Sequence, residues 1–247
     1  MNFQMVKEMM KMKSSLTTKT VLAHSSNYTK GRKGYKICKI TPHHMSGVLS
    51  GTECAKIFQR ASRDASANYC IGVKGDIVCN VEEENRAWTS SSSWNDCQAI
   101  TIEVSNSKAS GNFPISDASW KSLVKLCADI CKRYNFRLTY DGTKYGSLTR
   151  HNMYANTDCP GPYLQSKFPQ LVKEVNAILD KKESTIGQTK TLKQDCVLYS
   201  KKDLSGEKYT YKKNTTVKIL KNINNKVDYV KVIATGRKAY INNKYYK

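Results

Sequence analysis

The sequence predicts an α/β protein with a mixed central β-sheet flanked by helices, followed by a small all-β barrel. Strand and helix signals alternate between residues 35 and 180. Beyond a polar stretch only short β-rich runs remain. Charge separates the same two parts: residues 181–247 hold 17 Lys+Arg against 5 Asp+Glu, within a chain of 247 residues whose formal net charge is +21. That length suits one medium domain and one small one, and a hydrophobic fraction of 39% supports a core.

The elements follow in chain order. Residues 35–41 alternate apolar and polar, as a strand does. Residues 53–63 place Ala55, Ile57, Phe58 and Ala61 at helical spacing. Residues 68–73 and 76–81 flank Lys74-Gly75 and read as a hairpin. Residues 99–104 are a further strand. A long helix begins after Ser116, whose hydroxyl can cap free N–H groups, with Asp117 in the favourable first turn. Trp120, Leu123, Val124, Cys127, Ile130, Cys131 and Tyr134 form its apolar face. A last helix is expected over 163–179, with Leu164, Phe168, Leu171, Val172, Val175 and Ile178 inward. The expected organisation is an extension at 1–16, a first domain at 17–181, a linker at 182–193 and a β domain at 194–247.

The excess of Lys and Arg predicts attraction to a polyanion, whether nucleic acid, anionic membrane or acidic wall polymer. Nine cysteines, an odd number without a tight framework, predict mostly free thiols and synthesis in a reducing compartment. No apolar run approaches a membrane span, and the first residues lack the pattern of an export signal, so the chain reads as soluble and unexported by that route.

Chemistry concentrates in few residues. Of four histidines, His43 and His44 close the first strand, and His151 precedes Cys159 by eight residues. An imidazole from each region with a thiolate would make a three-ligand zinc site, its fourth position open. Spacing alone is a weak signal and favours unrelated surface residues over a metal site. Glu103 stands in an otherwise apolar strand, where a carboxylate would have a raised pKa; alternation also allows it to face solvent.

Five sequence words carry more. Ile40-Thr41-Pro42-His43-His44-Met45-Ser46-Gly47, Ser66-Ala67-Asn68-Tyr69-Cys70-Ile71-Gly72, Asn85-Arg86-Ala87-Trp88-Thr89-Ser90, Ala99-Ile100-Thr101-Ile102-Glu103-Val104, and His151 through Asp158-Cys159-Pro160-Gly161-Pro162 stand in this order. Over roughly residues 17–180 the chain resembles amidase family 2, the zinc N-acetylmuramoyl-L-alanine amidases that include phage endolysins and are related to peptidoglycan recognition proteins. The resemblance implies zinc ligands at His43, His151 and Cys159. It implies a proton-shuttling carboxylate at Glu103, and an oxyanion-stabilising role for Thr157. His44 falls outside the ligand set, as a supporting or core residue. Trp88, Thr89 and Trp94, with Tyr145 in the loop 140–146, are expected to line the substrate groove, and Trp88 reads equally as core. Two departures stand out. Pro42 replaces a β-branched or apolar residue, so its strand either ends there or lies at an edge. Ala67 stands where some relatives carry an assisting Tyr, which leaves the proton chemistry to Glu103 and Tyr69 to the core.

The basic tail, from Val197-Leu198-Tyr199-Ser200 to Gly236-Arg237-Lys238-Ala239-Tyr240-Ile241, resembles a bacterial SH3-like domain, whose relatives bind peptidoglycan. Together the two resemblances imply an endolysin that cuts peptidoglycan with Zn2+ as cofactor. Its tail would add attraction to teichoic acid, without nucleic-acid or membrane partners. They imply synthesis in the host cytoplasm and action on the wall after holin-type release. Besides a bacterial autolysin of the same chemistry, which would normally need the export signal that is not found, two other readings remain at this point. One is a non-catalytic peptidoglycan-binding protein of the same fold. The other is a basic nucleic-acid-binding protein in which lysines track phosphates and tyrosines stack bases.

Overall fold

The computed structural model describes residues 13–180, 186–224 and 226–246. Most of the expected extension at 1–16 and the start of the expected linker therefore lie outside the described residues. The chain divides into two compact units, 1–181 and 182–247.

The first unit contains β1 (Lys19–Thr20), β2 (Tyr28–Thr29), β3 (Lys39–His44), α1 (Gly51–Ile57), β4 (Tyr69–Ile71), β5 (Ile77–Cys79), β6 (Arg86–Ala87), α2 (Ser93–Gln98), β7 (Ala99–Val104), α3 (Asp117–Tyr134), α4 (Pro162–Ser166) and α5 (Phe168–Asp180). Its main sheet has the order β1-β5-β4-β7-β3. Only the β4–β5 hairpin is antiparallel, so the sheet is mixed, as expected.

Strand alternation sorts residues between the two faces of this sheet. Ile40, Tyr69, Ile71, Ile100, Ile102 and Val104 face a core completed by Leu123, Leu126 and Ile130 of α3 and Phe168, Leu171 and Val175 of α5. Thr41, His43, Thr101 and Glu103 therefore project from the opposite face, where α1 packs Ala55 and Cys54 against Cys70 and Val78. The apolar face fixes the sheet; the other face is left to carry polar groups.

Three elements differ from expectation, each for a tertiary reason. The first strand lies at 39–44 rather than 35–41 and runs through Pro42. It can do so because β3 is the sheet edge: the Ile40 amide donates outward to the Ser147 carbonyl, and two residues on Pro42 would point its missing N–H the same way. The helix expected at 53–63 stops at Ile57. Ser50 and Glu53 cap its start reciprocally, but Asn27 Nδ2 donates to the carbonyls of Phe58 and Arg60 and draws them out of helical pairing. The last helix is broken into α4 and α5 around Lys167, since Pro169 has no amide for the Gln165 carbonyl. The Ser116 cap forms as expected, its hydroxyl accepting from the Ser119 amide. All nine cysteines are free, and no helix among the described residues is long and apolar enough to cross a membrane.

The second unit contains β8 (Thr189–Thr191), β9 (Cys196–Tyr199), β10 (Lys208–Tyr211), β11 (Thr216–Asn222), β12 (Val227–Val232) and β13 (Lys238–Asn242). They form an antiparallel sheet in the order β10-β9-β13-β12-β11-β8. Leu192, Leu198, Val217, Ile219, Val230, Val232 and Ile241 are its core. Two expectations are corrected here. Among the described residues no ladder joins β10 to β8, so the sheet is open rather than a closed barrel, and Tyr209, Tyr211 and Tyr245 cover the core instead. The segment expected as a linker over 182–193 is strand in part: Thr189–Thr191 pairs with β11, and Leu192 is buried.

Candidate functional site

Strand register assembles the centre of the site. His43 on β3 pairs with Glu103 on β7, and Glu103 pairs with Cys70 on β4, so the three side chains form one row on the polar face. A loop from the far side of the sequence completes it. His151 begins a short 3-10 turn, and its ring centroid lies 4.9 Å from that of His43. Cys159 Sγ is 3.2 Å from His43 Nδ1. Potential ligand atoms of His43, His151 and Cys159 all fall within 4.8 Å of one another. The three expected ligands thus converge although 116 residues separate His43 from Cys159.

The electrostatics suit a cation. Burial, reinforced by His151 and His44, holds the His43 pKa well below the ordinary imidazole value. Burial also lowers that of His151. Both rings are therefore neutral near pH 7, with a lone pair to offer. His43 Nε2 is buried with no hydrogen-bond partner among the described residues. Burial and the nearby Glu103 push the Cys159 thiol up, against a smaller lowering by a hydrogen bond from the His44 backbone, and a neighbouring cation would favour its thiolate. Two neutral imidazoles and a thiol fit zinc by ligand chemistry.

Glu103 is partly buried, with Oε2 enclosed and unpaired. Burial raises its pKa to about 8, against a small lowering by Arg63. It does not face bulk solvent. It faces a cleft of about 740 Å³ that His43, His151, Cys159 and Thr157 also line. His44 points elsewhere: its ring meets Phe113 edge-on at 5.1 Å, and its Nε2 lies 3.1 Å from the Ser46 hydroxyl. Gly161, at φ +84°, lets the Cys159 loop pass this ring, because a Cβ there would come within 2.9 Å of His44 Nδ1.

The other expected residues divide. Thr157 borders the cleft, and its hydroxyl accepts from the Cys159 amide at 3.2 Å, which shapes the loop carrying the thiol. Trp88 and Thr89 also line the cleft. The Trp88 indole N–H donates to Thr29 Oγ1, and the Thr89 hydroxyl donates to the Ser66 carbonyl. Trp94 and Tyr145 are not among the lining residues. Trp94 follows Ser93, which does line the cleft, and the turn of about 100° per helical residue carries its ring away, under Lys39 Nζ at 4.7 Å. Tyr145 is 75% exposed on a loop whose Lys144 and Gly146 carbonyls accept from Lys39 Nζ. Lys39 stands four residues before His43, about 13 Å back along the strand.

Several contributors had no clear sequence signal. Ser91 Oγ lies 3.3 Å from His151 Nε2. Buried Asn95 donates to Thr41 and Ser90 hydroxyls and accepts from those of Thr149 and Tyr154, tying β3, α2 and the His151 loop together. Asp96 accepts from the amides of Thr89 and Ser90 and from the Ser90 hydroxyl, fixing the cleft wall. As sequence, Asn95 and Asp96 are ordinary polar residues of a short helix and only their burial marks them; Ser91 lies on an exposed turn before that helix.

Comparison with known proteins bears on the first unit. The profile of the N-acetylmuramoyl-L-alanine amidase family matches residues 17–162. A solved structure of PlyL superposes with a TM-score of 0.51 at 17% identity, covering 64% of this chain and 95% of that one. A mutant of PlyL gives 0.51 at 15% identity, with 64% and 98% covered. An endolysin N-acetylmuramoyl-L-alanine amidase, LysCS from Clostridium intestinale URNW, gives 0.45 at 17% identity, with 68% and 100% covered. At these identities the two PlyL superpositions show a likeness of fold alone. No curated relative matches the sequence.

Proposed function

Because the chain belongs to the N-acetylmuramoyl-L-alanine amidase family, we propose that it hydrolyses the amide joining the lactyl group of N-acetylmuramic acid to L-alanine in peptidoglycan. The observation that carries this reading is the row placing Glu103 beside His43, with His151 and Cys159 closing a three-donor cluster at one cleft.

Zn2+ is the cofactor this donor set fits, held by His43, His151 and Cys159; when bound it supplies a Lewis acid for the scissile carbonyl and the attacking water. Glu103 takes the proton of that water and returns it to the departing nitrogen, a task suited to a carboxylate whose pKa is raised by burial. The Thr157 hydroxyl, at the cleft border, donates to the carbonyl oxygen as it gains charge. Trp88 and Thr89 form a wall for the peptide stem. The second unit is read as a module that holds the enzyme to the wall, with its basic charge adding attraction to wall polyanions such as teichoic acid. The chain acts as an endolysin, reaching the wall after release from the cytoplasm that made it.

The test is mass spectrometry of purified Gram-positive peptidoglycan after digestion by the wild type, by chelator-treated protein and by Glu103→Ala. Free stem peptides beginning at L-alanine, absent in the two controls, are the expected products. Intact glycan-peptide linkages in walls that still pellet the protein would make it a binding protein instead.

A further inference from the structure

We propose that the outward face of the second unit's sheet binds an anionic polyol-phosphate polymer of the cell wall; the proposal rests on the wall-amidase reading and names the surface involved. Ladder register builds this face row by row. Lys208 pairs with Tyr199, Tyr199 with Tyr240, and Tyr240 with Tyr229, a single row across β10, β9, β13 and β12. Two residues along the strands, Lys238 pairs with Lys231 and Lys231 with Lys218. Residues two apart share a face, so the lysine row runs about 7 Å from the tyrosine row. All three lysines are exposed, while their neighbours Ala239, Val232, Val217 and Ile219 are buried in the core. On the other side of the tyrosines, Val227 pairs with Asn242, and these floor a hollow of about 420 Å³ flanked by Lys202 and Lys226.

The face thus carries cations on both sides of a half-buried aromatic strip. Among the described residues Asp203 is the one carboxylate that lines the hollow, against Lys202 and Lys226, and the unit's others are engaged with other partners. Asp195 pairs with Lys212, and Asp228 is buried against the Tyr246 hydroxyl and Asn222. Glu207 accepts from the Tyr209 hydroxyl, and Asp203, which also lines the hollow, accepts from the Ser205 amide and hydroxyl. Like charges directly opposite on neighbouring strands weaken a sheet. Two consecutive Lys–Lys pairs therefore do nothing for the fold, and a polyanion laid along them relieves the repulsion.

The aromatic strip argues against nucleic acid as the occupant. The Tyr229 and Tyr240 rings lie against each other, centroids 4.7 Å apart and tilted by 37°, so their facing surfaces are not open platforms for stacked bases. Each tyrosine of the strip also carries a hydroxyl, a group that can hydrogen-bond both phosphate and the polyol links between phosphates.

The experiment uses the full chain and Gram-positive walls, intact or stripped of phosphate polymer with hydrofluoric acid. The variants are Lys218→Gln/Lys231→Gln/Lys238→Gln and a control of equal charge loss, Lys108→Gln/Lys121→Gln/Lys125→Gln. The wild type and the control should pellet with intact walls and far less with stripped ones. The face variant should bind intact walls at least about tenfold more weakly. Its dependence of log affinity on log salt should be shallower by about 2, as the loss of three contacts to a flexible polyanion gives. Loss of Lys–Lys repulsion should leave its unfolding temperature unchanged or higher, which separates lost binding from lost fold. Unchanged binding and salt slope in the face variant, or equal binding of the wild type to stripped and intact walls, would overturn the proposal. So would a single-stranded oligonucleotide that displaces the wild type from polymer and no longer binds the variant. Amidase activity on soluble, phosphate-free muropeptides is scored separately: its absence in the wild type would overturn the catalytic reading and leave the binding result standing.

Discussion

The two units use polar groups in opposite ways. In the first, a few are drawn into a cleft where burial changes their chemistry: Glu103 is pushed up to about 8, His43 is held neutral, and the Cys159 thiol is kept from ionising. In the second, lysines stand exposed in rows and act through number. Function in the first unit should therefore depend on single residues, and in the second on sums.

The sharpest break of this contrast is loss of a ligand. Cys159→Ala or His151→Ala should reduce amidase turnover by on the order of a thousandfold or more and abolish stoichiometric zinc, read by elemental analysis of the purified protein. Glu103→Gln should cost about 10²- to 10⁴-fold in kcat while zinc content stays at wild-type level, which separates proton transfer from metal holding. The same variant carries a pH signature. A carboxyl with its folded pKa raised binds its proton in the native state before the unfolded chain does. Metal-free wild type should therefore lose stability as pH rises from the ordinary carboxylate range through about 8. Metal-free Glu103→Gln should lack that decline and melt higher at pH 8, by calorimetry.

Smaller effects test the surroundings. Asn95→Ala leaves the buried hydroxyls of Thr41, Ser90 and Thr149 and the partly buried one of Tyr154 short of a partner. It should cost about 1–3 kcal/mol in denaturant unfolding and roughly 10- to 100-fold in activity, as loss of a residue supporting metal ligands does. Trp94→Ala and Tyr145→Ala, outside the cleft, should change kcat/KM by less than about twofold, as surface changes away from a site do. A larger effect would show that the substrate reaches beyond the cleft toward Lys39.

Much of this was legible because it is local. Alternation along 99–104 set which residues of β7 share a face, Ser116 capped α3, and the hairpin around Lys74-Gly75 formed where its turn residues placed it. That His43, His151 and Cys159 would converge was expected from the resemblance to a family, and their donor atoms do come together. Residues outside those words fared worse. Trp94 and Tyr145 are aromatics near the motifs in sequence, yet one helical rotation and one loop anchored on Lys39 carry them away. Asn95 and Asp96 carry no signal in the sequence, yet both are buried and their hydrogen bonds brace the cleft wall, while Ser91 reaches the site from an exposed turn.

Side-chain periodicity and capping depend on neighbours within a few residues, so the order of residues was enough to specify them. Three matters lay beyond its reach: that His43 would stand opposite Glu103, that Lys218, Lys231 and Lys238 would form one row, and that β10 and β8 would leave the second sheet open. Each is a matter of register or closure between strands distant in the chain. Packing of the two cores fixes these relations, because a slip of one residue would turn every buried side chain to the wrong face.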